Sequence, residues 1–125
     1  MKNILLVEDD PFISDIYSRS FSKENFKVDM AVDGQMALEK IRDNPPDLLV
    51  LDIDLPKING CEILKKLRSE PKTKNLKVIV LSNYPDKDIN KKYNINLDSF
   101  GIIKHFLKIE APVDQIVREV KEILK

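Results

Sequence analysis

The sequence predicts an α/β domain built on a five-stranded, doubly wound parallel sheet. Its 125 residues are enough for one domain, so we expect residues 1–125 to form a single unit. Hydrophobic residues make up 42% and charged residues 34%, which is enough apolar material for a core. Short continuous apolar runs alternate with amphipathic helical stretches, the pattern of strands joined by crossover helices.

The first half of the chain contains two strands and two helices of this pattern. The apolar run at residues 4–7 predicts a strand, and Pro11 suits the first helical turn with Asp10 as its N-cap. The first helical stripe is Ile13, Ile16, Tyr17 and Phe21. Residues 26–31 predict a weaker strand with Val28 and Met30 on one face. The second stripe is Met36, Ala37, Leu38 and Ile41.

The second half continues the alternation. Apolar runs predict strands at residues 48–51, 78–81 and 105–107. The third helical stripe is Ile63, Leu64 and Leu67. A poorly bounded helix is expected between residues 83 and 104, with Gly101 as a helix stop. The last helix has the clearest apolar face, formed by Val113, Ile116, Val117, Val120, Ile123 and Leu124.

Charge and hydropathy exclude several classes of protein. Lys and Arg total 21 and Asp and Glu total 21, so the net charge of zero argues against direct nucleic-acid binding. No apolar run is long enough to cross a bilayer, and the run before Glu8 is too short for a signal peptide. We therefore expect a cytoplasmic protein without membrane contact. The single cysteine, Cys61, excludes an intrachain disulfide and fits a small buried hydrophobe on a helix.

Polar residues follow four of the predicted strands. The residues at these strand ends are Glu8, Asp9 and Asp10, then Asp52 and Asp54, then Ser82, and finally Lys108. Parallel strands present their carboxyl ends at one edge, where doubly wound sheets bind ligands. Each residue alone could be a helix cap, a turn residue or a solvated charge. Their joint placement favours a common site.

The residue types at this edge suit phosphoryl transfer. Gathered carboxylates repel one another, and a Mg²⁺ ion would relieve that repulsion through oxygen ligands. A hydroxyl and an ammonium group nearby suit the oxygens of a phosphoryl group. The pattern predicts transfer to a carboxylate nucleophile, with the metal and Lys108 neutralising the developing charge.

Four motifs give the chain a resemblance to a known family. They are ILLVEDDP at residues 4–11, LDIDLP at 51–56 followed by Gly60, VLS at 80–82 and FLK at 106–108. Together they resemble the CheY-like receiver domain of two-component response regulators over essentially the whole length. The resemblance implies a flavodoxin-like sheet of strand order 2-1-3-4-5.

The resemblance also implies a magnesium-dependent phosphoacceptor site. Asp52 matches the phosphoacceptor. Asp9 matches the carboxylate that binds Mg²⁺ directly, and Glu8 matches its neighbour, which acts through water. The backbone carbonyl of Asp54 matches the third protein ligand of the metal.

Further matches concern the response to phosphorylation. Ser82 and Lys108 match the residues that hydrogen-bond and pair with the phosphoryl group. His105 falls at the switch position, where the family usually has Tyr or Phe. The side chains of Asp54 and Tyr84 match positions that tune the lifetime of the phosphoryl group.

Three residues depart from the family pattern. Asn83 and Ile102 stand where small residues are usual, and Ile109 replaces the usual Pro, which makes a cis bond unexpected. All three lie on or beside the fourth helix, fifth strand and fifth helix. In the family this face carries output and dimerisation, so the departures bear on output and leave the acceptor residues intact.

The resemblance implies partners as well. A sensor histidine kinase or a phosphotransfer protein would supply the phosphoryl group, and an unnamed downstream protein would read the switch. A phosphorylation-linked homodimer could form through the fourth helix, fifth strand and fifth helix. Since the last helix runs to Lys125, we expect a stand-alone receiver that catalyses only its own phosphorylation and dephosphorylation.

Two alternatives remain open at this stage. Asp52 and Asp54 also fit the Asp-x-Asp motif of haloacid-dehalogenase-like phosphatases, although that motif belongs on a first strand. A receiver-like binding module that works without phosphorylation is the other alternative, and Asn83, Ile102 and Ile109 are the residues that favour it.

Overall fold

A computed structural model describes residues 1–108 and 110–125, and the departure noted at Ile109 lies outside the described residues. One parallel sheet has the strand order β2-β1-β3-β4-β5. Its strands are β1 (Asn3–Val7), β2 (Lys27–Ala31), β3 (Leu48–Asp52), β4 (Val78–Ser82) and β5 (Lys104–Leu107). The helices are α1 (Pro11–Lys23), α2 (Gly34–Asp43), α3 (Gly60–Ser69), α4 (Asp86–Tyr93) and α5 (Val113–Ile123). This confirms the predicted flavodoxin-like architecture.

The sheet is covered on both faces. One core cluster packs α2, α3 and α4 against the sheet, and the other packs α1 and α5 against the opposite face. The central strands β1, β3 and β4 lie between these layers, and β3 and β4 are buried along their whole length. Burial on both faces explains why these strands are continuous apolar runs without polar alternation.

The edge strand β2 is only partly covered. It begins at Lys27 rather than Phe26, and Val28 is half-buried against the α1/α5 cluster. Met30 shares the face of Val28 but is 42% exposed. An edge strand has a neighbour on one side only, so its side chains are covered less completely than those of β1.

The segment after β4 is two short helices rather than one. Asn94 takes a left-handed conformation with φ 53° and ends α4. A 3₁₀-helix follows at Leu97–Phe100, and its first backbone N–H donates to Oδ1 of Asn90 at 2.8 Å. Gly101, at φ 64°, ends this 3₁₀-helix, which confirms it as a stop signal. Asparagine tolerates the left-handed region, so a residue read only as a poor helix former is here a helix terminator.

Candidate functional site at the carboxyl edge of the sheet

The strand register brings the predicted residues to one edge. Val7 pairs with Leu51, and Asp52 pairs with Leu81. Ser82 pairs with Leu107 at the end of β5. Glu8 and Lys108 directly follow β1 and β5, so they reach the same edge as Asp52 and Ser82.

Lys108 joins two buried carboxylates. Its Nζ lies 2.7 Å from Oε2 of Glu8 and 3.0 Å from Oδ2 of Asp52. The side chains are 11% exposed for Lys108, 2% for Glu8 and 3% for Asp52. Burial favours the neutral form of a carboxyl group, so it raises the pKa of Glu8 to about 7, against the lowering effect of Lys108.

The same competition acts on the other two groups. Burial raises the pKa of Asp52, although the charge and hydrogen bond of Lys108 oppose this. Burial alone would lower the pKa of Lys108, but the bonds and charges of Glu8 and Asp52 together outweigh it and raise the pKa. The ammonium group of Lys108 thus lies between two carboxyl groups, Glu8 and Asp52, whose pKa values are both raised by burial.

A third carboxylate, Asp9, opens this cluster to solvent. Glu8, Asp9 and Asp52 each offer one oxygen, and these oxygens all lie within 4.8 Å of one another. Asp9 is exposed, whereas the other two are buried. Oxygen donors of this type fit Mg²⁺, which binds through one or a few carboxylates and keeps several waters. The donor set therefore fits the metal that the sequence implies.

Asp10 caps helix α1, unlike the neighbouring residues Glu8 and Asp9. Its Oδ1 accepts hydrogen bonds from the backbone N–H groups of Phe12 at 2.9 Å and Ile13 at 3.3 Å. These bonds satisfy two of the free donors at the start of α1, which confirms Asp10 as the N-cap.

The loop after Asp52 is fixed by close backbone packing. Oδ1 of Asp52 accepts a hydrogen bond from the backbone N–H of Asp54 at 3.1 Å. The N–H of Gly60 donates to the carbonyl of Ile53 at 2.9 Å. A Cβ atom on Gly60 would lie 2.7 Å from the Cα atom of Ile53, so only glycine permits this approach.

The side chain of Asp54 is tied to α4. Its Oδ1 accepts a hydrogen bond from the hydroxyl of Tyr93 at 2.9 Å and lies 3.4 Å from Nζ of Lys92. That ammonium group also stands 5.7 Å from the ring centroid of Tyr84, which is 47% exposed. Burial, and then the bond to Asp54, raises the pKa of Tyr93. Sequence reasoning named Asp54 and Tyr84 but missed Lys92 and Tyr93.

Ser82 is fully buried and points to neighbours other than Asp52. Its hydroxyl donates to the carbonyl of Tyr84 at 2.7 Å and accepts from the N–H of Tyr84 at 3.2 Å. Its Oγ also lies 2.6 Å from Nε2 of His105. Within the described chain, none of the hydrogen bonds of Ser82 reaches Asp52.

His105 lies inside the fold and connects β4 to α4. Its side chain is 7% exposed, and its Nδ1 pairs with Oδ1 of Asp86, the first residue of α4. Sequence reasoning placed His105 at a switch position but missed Asp86. No sequence signal joins the two, because their contact depends on where α4 begins.

The remaining predicted residues differ in burial. Asn83 is exposed, and Ile102 is half-buried against the core cluster of α2, α3 and α4. Cys61 is buried in that cluster, as predicted, and burial raises its pKa to about 11. None of the helices in residues 1–108 and 110–125 has the length and hydropathy needed to cross a membrane.

Known proteins are similar to this chain in sequence and in fold. The sequence model of the response regulator receiver domain matches residues 4–114. The response regulator ArlR of Staphylococcus haemolyticus is 33% identical over 114 residues, covering 89% of this chain and 52% of that protein. ArlR of Staphylococcus epidermidis is 30% identical over 125 residues, covering 100% and 53%. The chain therefore spans about half the length of the curated relatives it matches.

A solved structure agrees with these sequence matches. The CheY-like response regulator receiver domain protein of Methanospirillum hungatei superposes with a TM-score of 0.85 at 26% identity, covering 99% of this chain and 94% of that one. The family match spans all four motifs from which the site is built. The chain belongs to the response regulator receiver domain family of two-component signalling.

Proposed function

We propose that the chain is a magnesium-dependent phosphoacceptor and that Asp52 receives the phosphoryl group. The observation that carries the proposal is the placement of Lys108 within 3.0 Å of Asp52 and within hydrogen-bond reach of Glu8, beside Asp9. Family membership supports it, since receiver domains act with sensor histidine kinases. The donor is then a phosphohistidine on a kinase or phosphotransfer protein.

In the proposed reaction, an oxygen of the Asp52 carboxylate attacks phosphorus in line with the leaving imidazole. The phosphorus–nitrogen bond breaks, the imidazole keeps the electron pair, and an acyl phosphate forms on Asp52. The N–H of Asp54 holds the carboxylate in orientation through its 3.1 Å bond. The ammonium group of Lys108 offsets the negative charge that would gather on the phosphoryl oxygens.

The residues that would hold Mg²⁺ are Glu8, Asp9, Asp52 and the backbone carbonyl of Asp54. When bound, the ion supplies positive charge at the phosphoryl oxygens and offsets the repulsion among the carboxylates. The exposure of Asp9 gives an ion a route to the cluster from solvent.

The proposed output follows from the partners of Ser82. Ser82 would turn from Tyr84 towards the phosphoryl group, and His105 would respond because it shares the Ser82 hydroxyl. The surface that changes would be α4, β5 and α5, where a downstream protein or a second copy of the chain would bind. Asn83 and Ile102 adjoin this surface and would shape its specificity. The proposed location is the cytoplasm.

Hydrolysis of the acyl phosphate would return the protein to rest, with Asp54 and Tyr84 setting the lifetime. Under this proposal the chain catalyses only its own phosphorylation and dephosphorylation. A dehalogenase-like phosphatase is not favoured, because Asp54 would have to act as a general acid, yet its Oδ1 is engaged by Tyr93 and Lys92. A phosphorylation-independent binding module is not favoured, because the acceptor, metal and lysine positions are all present.

The test is the intact mass of the protein after incubation with acetyl phosphate and Mg²⁺. We expect one added phosphoryl group on the wild type, and none on Asp52→Asn or without metal. Asp88→Asn, which removes an exposed carboxylate on α4, is the matched control and should label like the wild type. Equal labelling of Asp52→Asn and Asp88→Asn would overturn the assignment of Asp52. Partner binding that Asp52→Asn leaves unchanged would favour the binding module.

A further inference from the structure

The hydrogen bonds around Ser82 fix where protons lie. The carbonyl of Tyr84, 2.7 Å from Oγ of Ser82, can only accept, so it takes the single hydroxyl proton. The N–H of Tyr84 donates to the same Oγ at 3.2 Å. Nε2 of His105, at 2.6 Å, therefore faces a lone pair of Ser82 and must itself carry a proton.

The other ring nitrogen leads to the same conclusion. Nδ1 of His105 pairs with a carboxylate oxygen of Asp86, which accepts when ionised. A carboxylic acid is a stronger acid than an imidazolium, so the shared proton belongs to the ring. With both nitrogens protonated, His105 is a cation held between Ser82 and Asp86.

Among the described residues, no other charged side chain forms a hydrogen bond or ion pair with the ring. Its polar partners are Ser82 from β4 and Asp86 from α4. The adjacent β5 residue Lys104 lies on the opposite face of the sheet, where its Nζ pairs with Glu119 at 2.9 Å. Nζ of Lys108 is hydrogen-bonded to the carboxylates of Glu8 and Asp52. Asp86 is thus the residue whose charge holds the ring.

We propose that Asp86 and His105 are positioning residues that latch the Ser82 hydroxyl towards Tyr84 and away from Asp52. This inference rests on the proposed phosphoacceptor function, because Ser82 matters only if a phosphoryl group forms on Asp52. When Ser82 turns to that group, the buried Nε2–H loses its acceptor, which is costly for a charged donor. The latch therefore favours the unphosphorylated state and ties the first residue of α4 to the site.

The protonation of His105 can be read directly, because it is the only histidine in the chain. Long-range ¹H–¹⁵N spectra at about pH 7, without phosphodonor, report whether each ring nitrogen carries a proton. We expect two protonated nitrogens in the wild type and in the control Asp88→Asn, and one in Asp86→Asn. A neutral ring in the wild type, or a ring that Asp86→Asn leaves unchanged, would overturn the latch.

A second variant covers a failure of Asp86→Asn to fold. Ser82→Ala keeps the Asp86 pair and removes only the acceptor of Nε2, so the ¹⁵N resonance of Nε2 should move while that of Nδ1 stays near its wild-type position. An Nε2 resonance that is identical in Ser82→Ala and the wild type would contradict the hydrogen-bond assignment.

The consequence for phosphorylation is tested at limiting acetyl phosphate. We expect Asp86→Asn to reach a phosphorylated-to-unphosphorylated ratio about threefold to tenfold above the wild type, with Asp88→Asn unchanged. Equal ratios in Asp86→Asn and the wild type would overturn the latch. If no variant is labelled, the phosphoacceptor function fails instead, and the ring spectra alone decide the geometry of the latch.

Discussion

Nζ of Lys108 lies 2.7 Å from Oε2 of Glu8, although 100 residues of chain separate the two. This ion pair joins the end of β5 to the end of β1, with Asp52 of β3 in reach of the same ammonium group. All three side chains are withdrawn from water. Removing one partner of a buried ion pair leaves the remaining charges unpaired in a medium that solvates charge poorly.

Lys108→Ala should therefore lower the free energy of unfolding by about 3 kcal/mol near neutral pH, measured by urea unfolding. Lys104→Ala is the control, since Lys104 pairs with Glu119 while its side chain is 46% exposed. Exposed pairs contribute about 1 kcal/mol or less. An equal loss in the two variants would show that burial of the Lys108 cluster carries no additional stability.

Gly60→Ala should distort the backbone that carries Asp52 and Asp54. The added methyl group would meet the Cα atom of Ile53 at 2.7 Å and the carbonyl oxygen of Asp52 at 2.8 Å. We expect a loss of about 1–3 kcal/mol in unfolding free energy and slower labelling by acetyl phosphate.

The control for that variant is Gly101→Ala. Gly101 has φ 64°, and a Cβ atom there would meet no heavy atom of the described residues within 4 Å. Alanine at this position therefore adds left-handed strain of about 1–2 kcal/mol without a clash. Gly101→Ala should lose stability but keep wild-type labelling. Slower labelling in Gly101→Ala to the same extent would contradict a local effect of Gly60.

Tyr93→Phe should shorten the lifetime of the phosphorylated protein by about twofold to tenfold. The Tyr93 hydroxyl donates to Oδ1 of Asp54 at 2.9 Å, and its loss frees that carboxylate to orient water near Asp52. Decay of labelled protein after removal of the phosphodonor measures the lifetime. Asp88→Asn removes an exposed carboxylate from the same helix and should decay like the wild type. An unchanged or longer lifetime in Tyr93→Phe would exclude the proposed role of this hydrogen bond.

Cys61 should resist alkylation in the folded protein. Burial raises its pKa from 9.0 to about 11, so at pH 8 the reactive thiolate is about a hundredfold scarcer than in the unfolded chain. For the same reason, stability should decline as the pH rises above about 9, because the unfolded state then releases the thiol proton first. The rate of Cys61 labelling by iodoacetamide, compared with and without urea, measures the loss of thiol reactivity on folding. Comparable rates would show that Cys61 is accessible.

The fold was predictable because its signals are local in sequence. The runs at residues 4–7, 48–51 and 78–81 are apolar throughout, since their strands are buried on both faces. Asp10 caps the helix that Pro11 begins, and both are adjacent in the chain. The strand order came from the family resemblance rather than from composition or spacing.

The unpredicted contacts depend on long-range placement. Asp86 meets His105 because α4 begins at Asp86 and β5 pairs in register with β4. Tyr93 reaches Asp54 across 39 residues, which no local pattern encodes. Arg68 was also missed: its guanidinium donates to the carbonyls of Phe100 and Thr73, at 2.7 Å and 3.2 Å, and ties α3 to the 3₁₀-helix. Such contacts stabilise the tertiary structure without leaving a motif in the sequence.

The span between Glu8 and Lys108 also has a consequence during synthesis. During synthesis from the N-terminus at about 5–20 residues per second, Glu8 is added some 5–20 seconds before Lys108. Until β5 docks on β4, Glu8 and Asp52 lack their shared ammonium partner. The charged cluster is therefore absent from a nascent chain, and its assembly coincides with closure of the last edge of the sheet.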